Sequence, residues 1–135
     1  MVQAYSFTSA PIAEALLNAF SKGVKVEVIL DKRQIKQKSS KATFFIDNRI
    51  PVMIDDRHDK AHNKVMVIDR ETVITGSFNF TEAAEKKNAE NLLIIHDRKL
   101  AEKYEKNWHE HAQHLKLHVG SGVTKAGQVS QQLPH

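Results

Sequence analysis

The chain has 135 residues, 41% hydrophobic and 27% charged, which fits one ordinary globular domain able to bury a core of its own. Its net charge of +4 permits a polyanionic partner, nucleic acid or an anionic membrane surface, without demonstrating one. Cysteine is absent, which excludes disulfides and thiolate metal sites, and no apolar run approaches the roughly 18 residues that span a bilayer.

Residues 2–8 (VQAYSFT) read as a strand. An amphipathic helix follows from Pro11 to about Lys22, with Ser9 as cap, Pro11 in the first turn and Gly23 at the stop. Ile12, Ala15, Leu16, Ala19 and Phe20 share one face of it. Residues 24–30 alternate and then become continuously apolar, as a buried strand does. Strand, helix and strand in that order predict a right-handed parallel βαβ unit.

Residues 42–49 read as partly helical, Pro51–Ile54 as a short strand and 55–60 as a charged loop. Strands are predicted at 61–68, 72–75 and 91–96, with a short helix from Thr81 to about Lys87. A long helix over 98–117 aligns Leu100, Tyr104, Trp108, Ala112 and Leu115 as a core stripe. Residues 118–135, rich in Gly, Ser and Gln, read as a flexible tail, so the domain is expected to occupy 1–117. No basic region followed by an apolar one opens the chain, so as written it is expected to remain in the cytoplasm.

The chemistry concentrates between His62 and Glu90. His62 and Lys64 are two apart on a strand and share a face, while Asp69 has the opposite parity. Asp69 is therefore read as structural, fixing the strand end by hydrogen bonds. Ser77 and Asn79, two apart in the next turn, each offer a hydrogen bond to a phosphate oxygen, and Gly76 permits close backbone approach. Glu90 starts the following strand, where its carboxylate can hold one ring nitrogen of His62 and leave the other as nucleophile. Singly, each feature is most simply a solvated face or a turn. Together they suit a phosphodiester that is held and attacked without a metal.

The segment His62-x-Lys64-x4-Asp69-x6-Gly76-Ser77 resembles the HKD motif of the phospholipase D superfamily. Within it the chain looks most like the small, single-motif bacterial endonucleases. Ala4–Thr8, the helix ending at Gly23, Val24–Asp31 and Gly76–Thr81 agree, and the likeness covers residues 3 to about 110. It implies an α/β fold: a mixed sheet flanked by helices on both faces. It also implies a phosphodiesterase that needs no cofactor and no metal and works through a phosphohistidine.

In that scheme His62 is the nucleophile and Glu90 orients its ring. Lys64 and Asn79 neutralise and orient the phosphoryl oxygens, and Ser77 assists. Relatives with two motifs pair them in one chain. A single motif implies a homodimer in which a second His62 protonates the leaving oxygen. The expected substrate is DNA, with RNA as a further one. The alternatives are an anionic phospholipid such as cardiolipin, or a non-catalytic relic that binds nucleic acid. No membrane-anchoring segment supports the lipid reading.

Members of that branch usually carry a further strand and helix ahead of the strand at 2–8. Their absence from this sequence predicts an apolar, unpaired sheet edge, marginal stability and a tendency to aggregate. The basic residues Lys36, Lys38 and Lys41 are candidates for tracking a nucleic-acid backbone, although a solvated surface is the commoner meaning. His109, His111, His114 and His118 read as a polar helix face; the i, i+4 pair His114 and His118 has chelating spacing but no carboxylate-rich pocket.

Overall fold

A computed structural model describes residues 1–119 and 122–125. In chain order its elements are β1 (Val2–Ala4), α1 (Ala10–Ser21), β2 (Val28–Asp31), a 3₁₀ turn (Lys32–Ile35), α2 (Ala42–Asp47) and β3 (Val52–Asp55). Then follow β4 (Lys64–Ile68), β5 (Thr72–Gly76), α3 (Glu82–Lys86), β6 (Leu92–His96), α4 (Arg98–Ala112), β7 (Lys116–Val119) and β8 (Gly122–Lys125). Among the described residues the strands form one mixed eight-stranded sheet in the order β6-β5-β4-β1-β2-β3-β7-β8. β1, β2 and β3 run parallel, and every other pairing is antiparallel.

Local chemistry sets the elements. Ser9 caps α1 by accepting the Ile12 N–H, and the helix stops before Gly23 at φ 91°. Asp69 and Arg70, both with φ near 55°, close the β4–β5 hairpin, with the Glu71 N–H donating to the Ile68 carbonyl. Two successive left-handed residues give a turn whose twist matches that of the strands. Asp69 thus contributes its tolerance of this conformation. Its side chain makes no hydrogen bond among the described residues, contrary to the expected hydrogen-bonding role.

The sheet is covered on both faces. On one side α1 and α2 pack on Val2, Ala4, Val28, Leu30, Val52 and Met66, around a buried aromatic group of Phe7, Phe45 and Phe80. On the other, α4 seats Trp108 and Ala112 on Ile29 and Met53, and Ala101 on Val65, Val67 and Val73. The Trp108 indole N–H donates to the Val2 carbonyl at 2.8 Å, which ties α4 to the middle of the sheet.

Several boundaries differ from expectation: the strands expected at 2–8, 24–30 and 61–68 are Val2–Ala4, Val28–Asp31 and Lys64–Ile68, so His62 lies just ahead of its strand. The last helix ends at Ala112 and not near residue 117, because Leu115, just ahead of a strand that pairs with β3, and Leu117 within it complete the core under Ile29 and Met53. Chain assigned to a flexible tail therefore forms part of β7 and all of β8; residues 120–121 and 126–135 lie outside the described residues. His118 is consequently on a strand, so the i, i+4 helical pair with His114 does not exist. β1 sits inside the sheet, bonded on both sides. The apolar edge is β6, where Leu92, Leu93 and Ile94 are 46%, 57% and 59% exposed.

Candidate active site

The strand directions bring the motif residues to one edge of the sheet. β1, β2 and β3 end there, and antiparallel pairing of Ala4 with Lys64 puts the start of β4 beside them. Val65 pairs with Thr75 and Gly76 with Leu92, so the end of β5 and the start of β6 share that edge. Outside the carboxyl ends of parallel strands is where open α/β sheets place their ligands.

His62 is exposed just before β4, its ring edge-on to Tyr5 with centroids 4.6 Å apart. Lys64 is buried, with Nζ donating to the His62 carbonyl at 2.6 Å and lying 5.4 Å from the Tyr5 ring centre. Burial pushes the Lys64 ammonium below its usual range, and the Glu90 carboxylate acts against that shift. The cation and the backbone that carries the imidazole are thus one rigid unit.

Gly76 has φ 152°, and a Cβ there would overlap the Asn91 carbonyl oxygen. Only glycine fits. This close approach lets the Ser77 N–H donate to the Asn91 carbonyl at 3.0 Å while the Asn91 N–H donates to Ser77 Oγ at 2.9 Å. Ser77 Oγ lies 3.4 Å from Glu90 Oε1. Glu90 is therefore paired with Ser77 and not with His62, whose ring makes no hydrogen bond among the described residues. The expected imidazole-orienting contact is absent from the single chain.

Asn79 follows in the same loop, which Phe80 anchors. The Phe80 carbonyl accepts the N–H groups of Thr8 and Ser9, and its ring packs on Phe7. Among the described residues the buried Asn79 Oδ1 atom has no hydrogen-bond partner. An unsatisfied buried acceptor costs about 1–3 kcal/mol, a cost that a donor group of a facing subunit can remove.

Sequence reasoning missed three residues. Tyr5 is the aromatic wall against His62 and Lys64. Asp31, fully buried at the end of β2, accepts the Ala61 N–H on Oδ2 at 2.9 Å, immediately before His62. Asp55, its register partner on β3, is also fully buried and holds the start of the same loop. The available signal was an aspartate closing each of two apolar strands, a poor fit to a core position unless its lone pairs are used. Lys36 and Lys38 are exposed and Lys41 is half-buried in the segment that follows β2, so they flank the same edge.

A family model described as "Cardiolipin synthase, PLD-like domain" matches residues 1–112. A phospholipase D of Rickettsia felis is 54% identical over 107 residues, 79% of this chain and 54% of the relative. A mitochondrial cardiolipin hydrolase of Xenopus tropicalis is 32% identical over 111 residues, 79% of this chain and 53% of the relative. The chain thus spans about half the length of these curated relatives. The crystal structure of Nuc, a phospholipase D family member from Salmonella typhimurium, superposes with a TM-score of 0.83 at 37% identity, covering 88% of this chain and 80% of Nuc. The matched segment includes every motif residue from His62 to Glu90, and with it the chain belongs to the phospholipase D-like family.

Proposed function

We propose that the protein is a metal-independent phosphodiesterase, acting as an endonuclease on DNA and also able to accept RNA. The observation that carries this reading is the meeting of His62, Lys64, Ser77, Asn79 and Glu90 at one open sheet edge, flanked by exposed Lys36 and Lys38. A nucleophilic imidazole, a fixed cation and a free carboxamide are the groups that in-line displacement at phosphorus uses.

One ring nitrogen of His62 attacks phosphorus, the bond to the leaving oxygen breaks, and a P–N bond forms. The leaving oxygen takes a proton from His62 of a second copy. Water then attacks the phosphohistidine and gives its proton back to that second imidazole, which restores both rings. Lys64 and Asn79 stabilise the charge on the non-bridging oxygens. A homodimer supplies the second imidazole, and the unpaired ring of His62 and unsatisfied Asn79 Oδ1 are in keeping with a site completed from outside the chain.

The test is plasmid nicking by the purified protein in excess EDTA, beside His62→Ala. Cleavage by the wild type alone supports the reading; loss of cleavage in EDTA, or cleavage undiminished by His62→Ala, overturns it. A second reading is hydrolysis of an anionic phospholipid, favoured by relatives named mitochondrial cardiolipin hydrolase. Turnover of cardiolipin vesicles with no nicking would establish that reading instead. Among the described residues no helix is long and apolar enough to cross a membrane.

A further inference from the structure

A second cluster of donor side chains lies on the loop between β3 and β4, where it meets the end of α4. Asp55 Oδ2 is 2.8 Å from His58 Nδ1 and 4.0 Å from His111 Nδ1, and ligand atoms of the three residues all lie within 4.8 Å of one another. They open onto a cleft of about 190 Å³, also lined by Arg57, Glu110 and His114. None of these side chains touches the His62 constellation; Asp55 is linked to it only as the anchor of the loop that ends at His62. We propose that Asp55, His58 and His111 bind a divalent transition-metal cation of the zinc type, which would fasten the loop before His62 to helix α4.

The donor set is the first argument. Two imidazoles and one carboxylate are borderline ligands that suit zinc and its neighbours and not magnesium or calcium. Carboxylate orientation is the second. Asp55 Oδ1 accepts the N–H groups of Arg57 and His58 at 3.0 and 3.2 Å, so Oδ2 is left facing the cleft and the two histidines. Such outer hydrogen bonds are how proteins aim a ligating carboxylate.

Distance is the third argument. A tetrahedral ion with bonds near 2.0–2.1 Å separates its ligand atoms by about 3.3 Å. The 2.8 Å contact has to widen slightly, the 4.0 Å one to close by less than an ångström, and the two imidazoles, within 4.8 Å of each other, to draw together by up to about 1.5 Å. His58 is exposed and His111 half-buried, so both rings have the freedom to do this around a fixed Asp55. Charge is the fourth. Arg57 is the opposing cation in the lining, but its Nε donates to the His114 carbonyl at 3.1 Å, while Glu110 adds a negative charge to the same cleft. Three protein ligands leave one position to water.

The experiment uses the full chain, stripped with EDTA and then dialysed free of it, titrated with zinc chloride by calorimetry and with cobalt chloride by visible absorption. The expected result is one equivalent bound per chain at pH 7.5, with intense four- or five-coordinate cobalt bands and a raised melting temperature. His58→Ala and His111→Ala should each weaken binding at least tenfold, while His96→Ala, on the far edge strand, leaves it unchanged. Both histidine variants alter accessible side chains and should fold, which circular dichroism verifies. No saturable binding by the wild type, or equal binding by the His58→Ala/His111→Ala double variant, would overturn the proposal. Nicking in EDTA tests the His62 reading separately, so either idea can fail without the other.

Discussion

The Asp31 carboxylate at the end of β2 accepts the Ala61 N–H at 2.9 Å, fixing the backbone one residue ahead of His62. Its other oxygen accepts the Arg33 N–H at 2.9 Å, so both lone-pair directions face donors. Asp31→Asn places an NH2 group against one of those N–H groups. The expected cost is about 1–3 kcal/mol of stability, read by urea denaturation. Because the displaced segment carries His62, turnover should fall at least tenfold with little change in KM. A variant that loses stability but keeps full turnover would make Asp31 a folding residue only.

Gly76→Ala tests the meeting of β5 and β6. A methyl group there collides with the Asn91 carbonyl, which is backbone and cannot swing away. The two strands must part where Ser77, Asn91 and Glu90 are hydrogen-bonded. A loss of roughly 2–4 kcal/mol, at the upper end for a single substitution, is expected along with loss of activity. Chemical denaturation measures the first.

Lys64→Met separates folding from chemistry. The ammonium is buried, and its pKa is depressed by that burial, so the charged form is penalised in the folded state. In sign terms, the folded state releases this proton at lower pH than the unfolded chain does. Stability from this group therefore rises with pH between the depressed folded pKa and the ordinary lysine value. A methionine of similar length removes the penalty, so the melting temperature should stay level or rise while phosphodiester turnover disappears. A large drop in melting temperature would show that the bond from Nζ to the His62 carbonyl contributes more than burial costs.

Asp55 has the opposite pH signature. Its folded pKa is depressed by the His58 ring and two backbone N–H groups, against the effect of burial. Its contribution is complete above the unfolded carboxylate pKa near 3.8 and disappears as pH falls through the lower folded value. Asp55→Asn should therefore flatten the acid limb of the stability profile below about pH 4, in thermal melts between pH 2 and 7. An acid limb identical to wild type would assign that proton uptake elsewhere.

The β6 edge predicts solution behaviour. Leu93 is 57% exposed on a strand with one side unpaired among the described residues, a template for edge-to-edge association. Leu93→Lys should lower light scattering on concentration without lowering the melting temperature. An unchanged scattering profile would mean that the edge is already covered in solution.

Much of the fold was legible because it rests on local rules. The capped helix from Ser9 to Gly23, a strand in the apolar run 24–30 (formed over Val28–Asp31) and the alternating pair on either side of Asp69–Arg70 all follow from side-chain period and turn chemistry. The motif spacing likewise put His62, Lys64, Ser77 and Asn79 in one strand-turn unit. What sequence distance hides is register. Asp31 and Ala61 are 30 residues apart, and His58 and His111 are 53 apart; only the pairing of β2 with β3 and the seating of α4 by Trp108 bring them together. Glu90 meeting Ser77 in place of His62 is a decision of the same kind, made by the close Gly76–Asn91 approach. Which chemical groups this protein carries and the order of its elements depend on neighbours along the chain, so both are legible residue by residue. Which carboxylate holds which loop, where the last helix stops and which edge stays bare depend on burying apolar surface across the whole sheet, and so emerge only in the folded molecule.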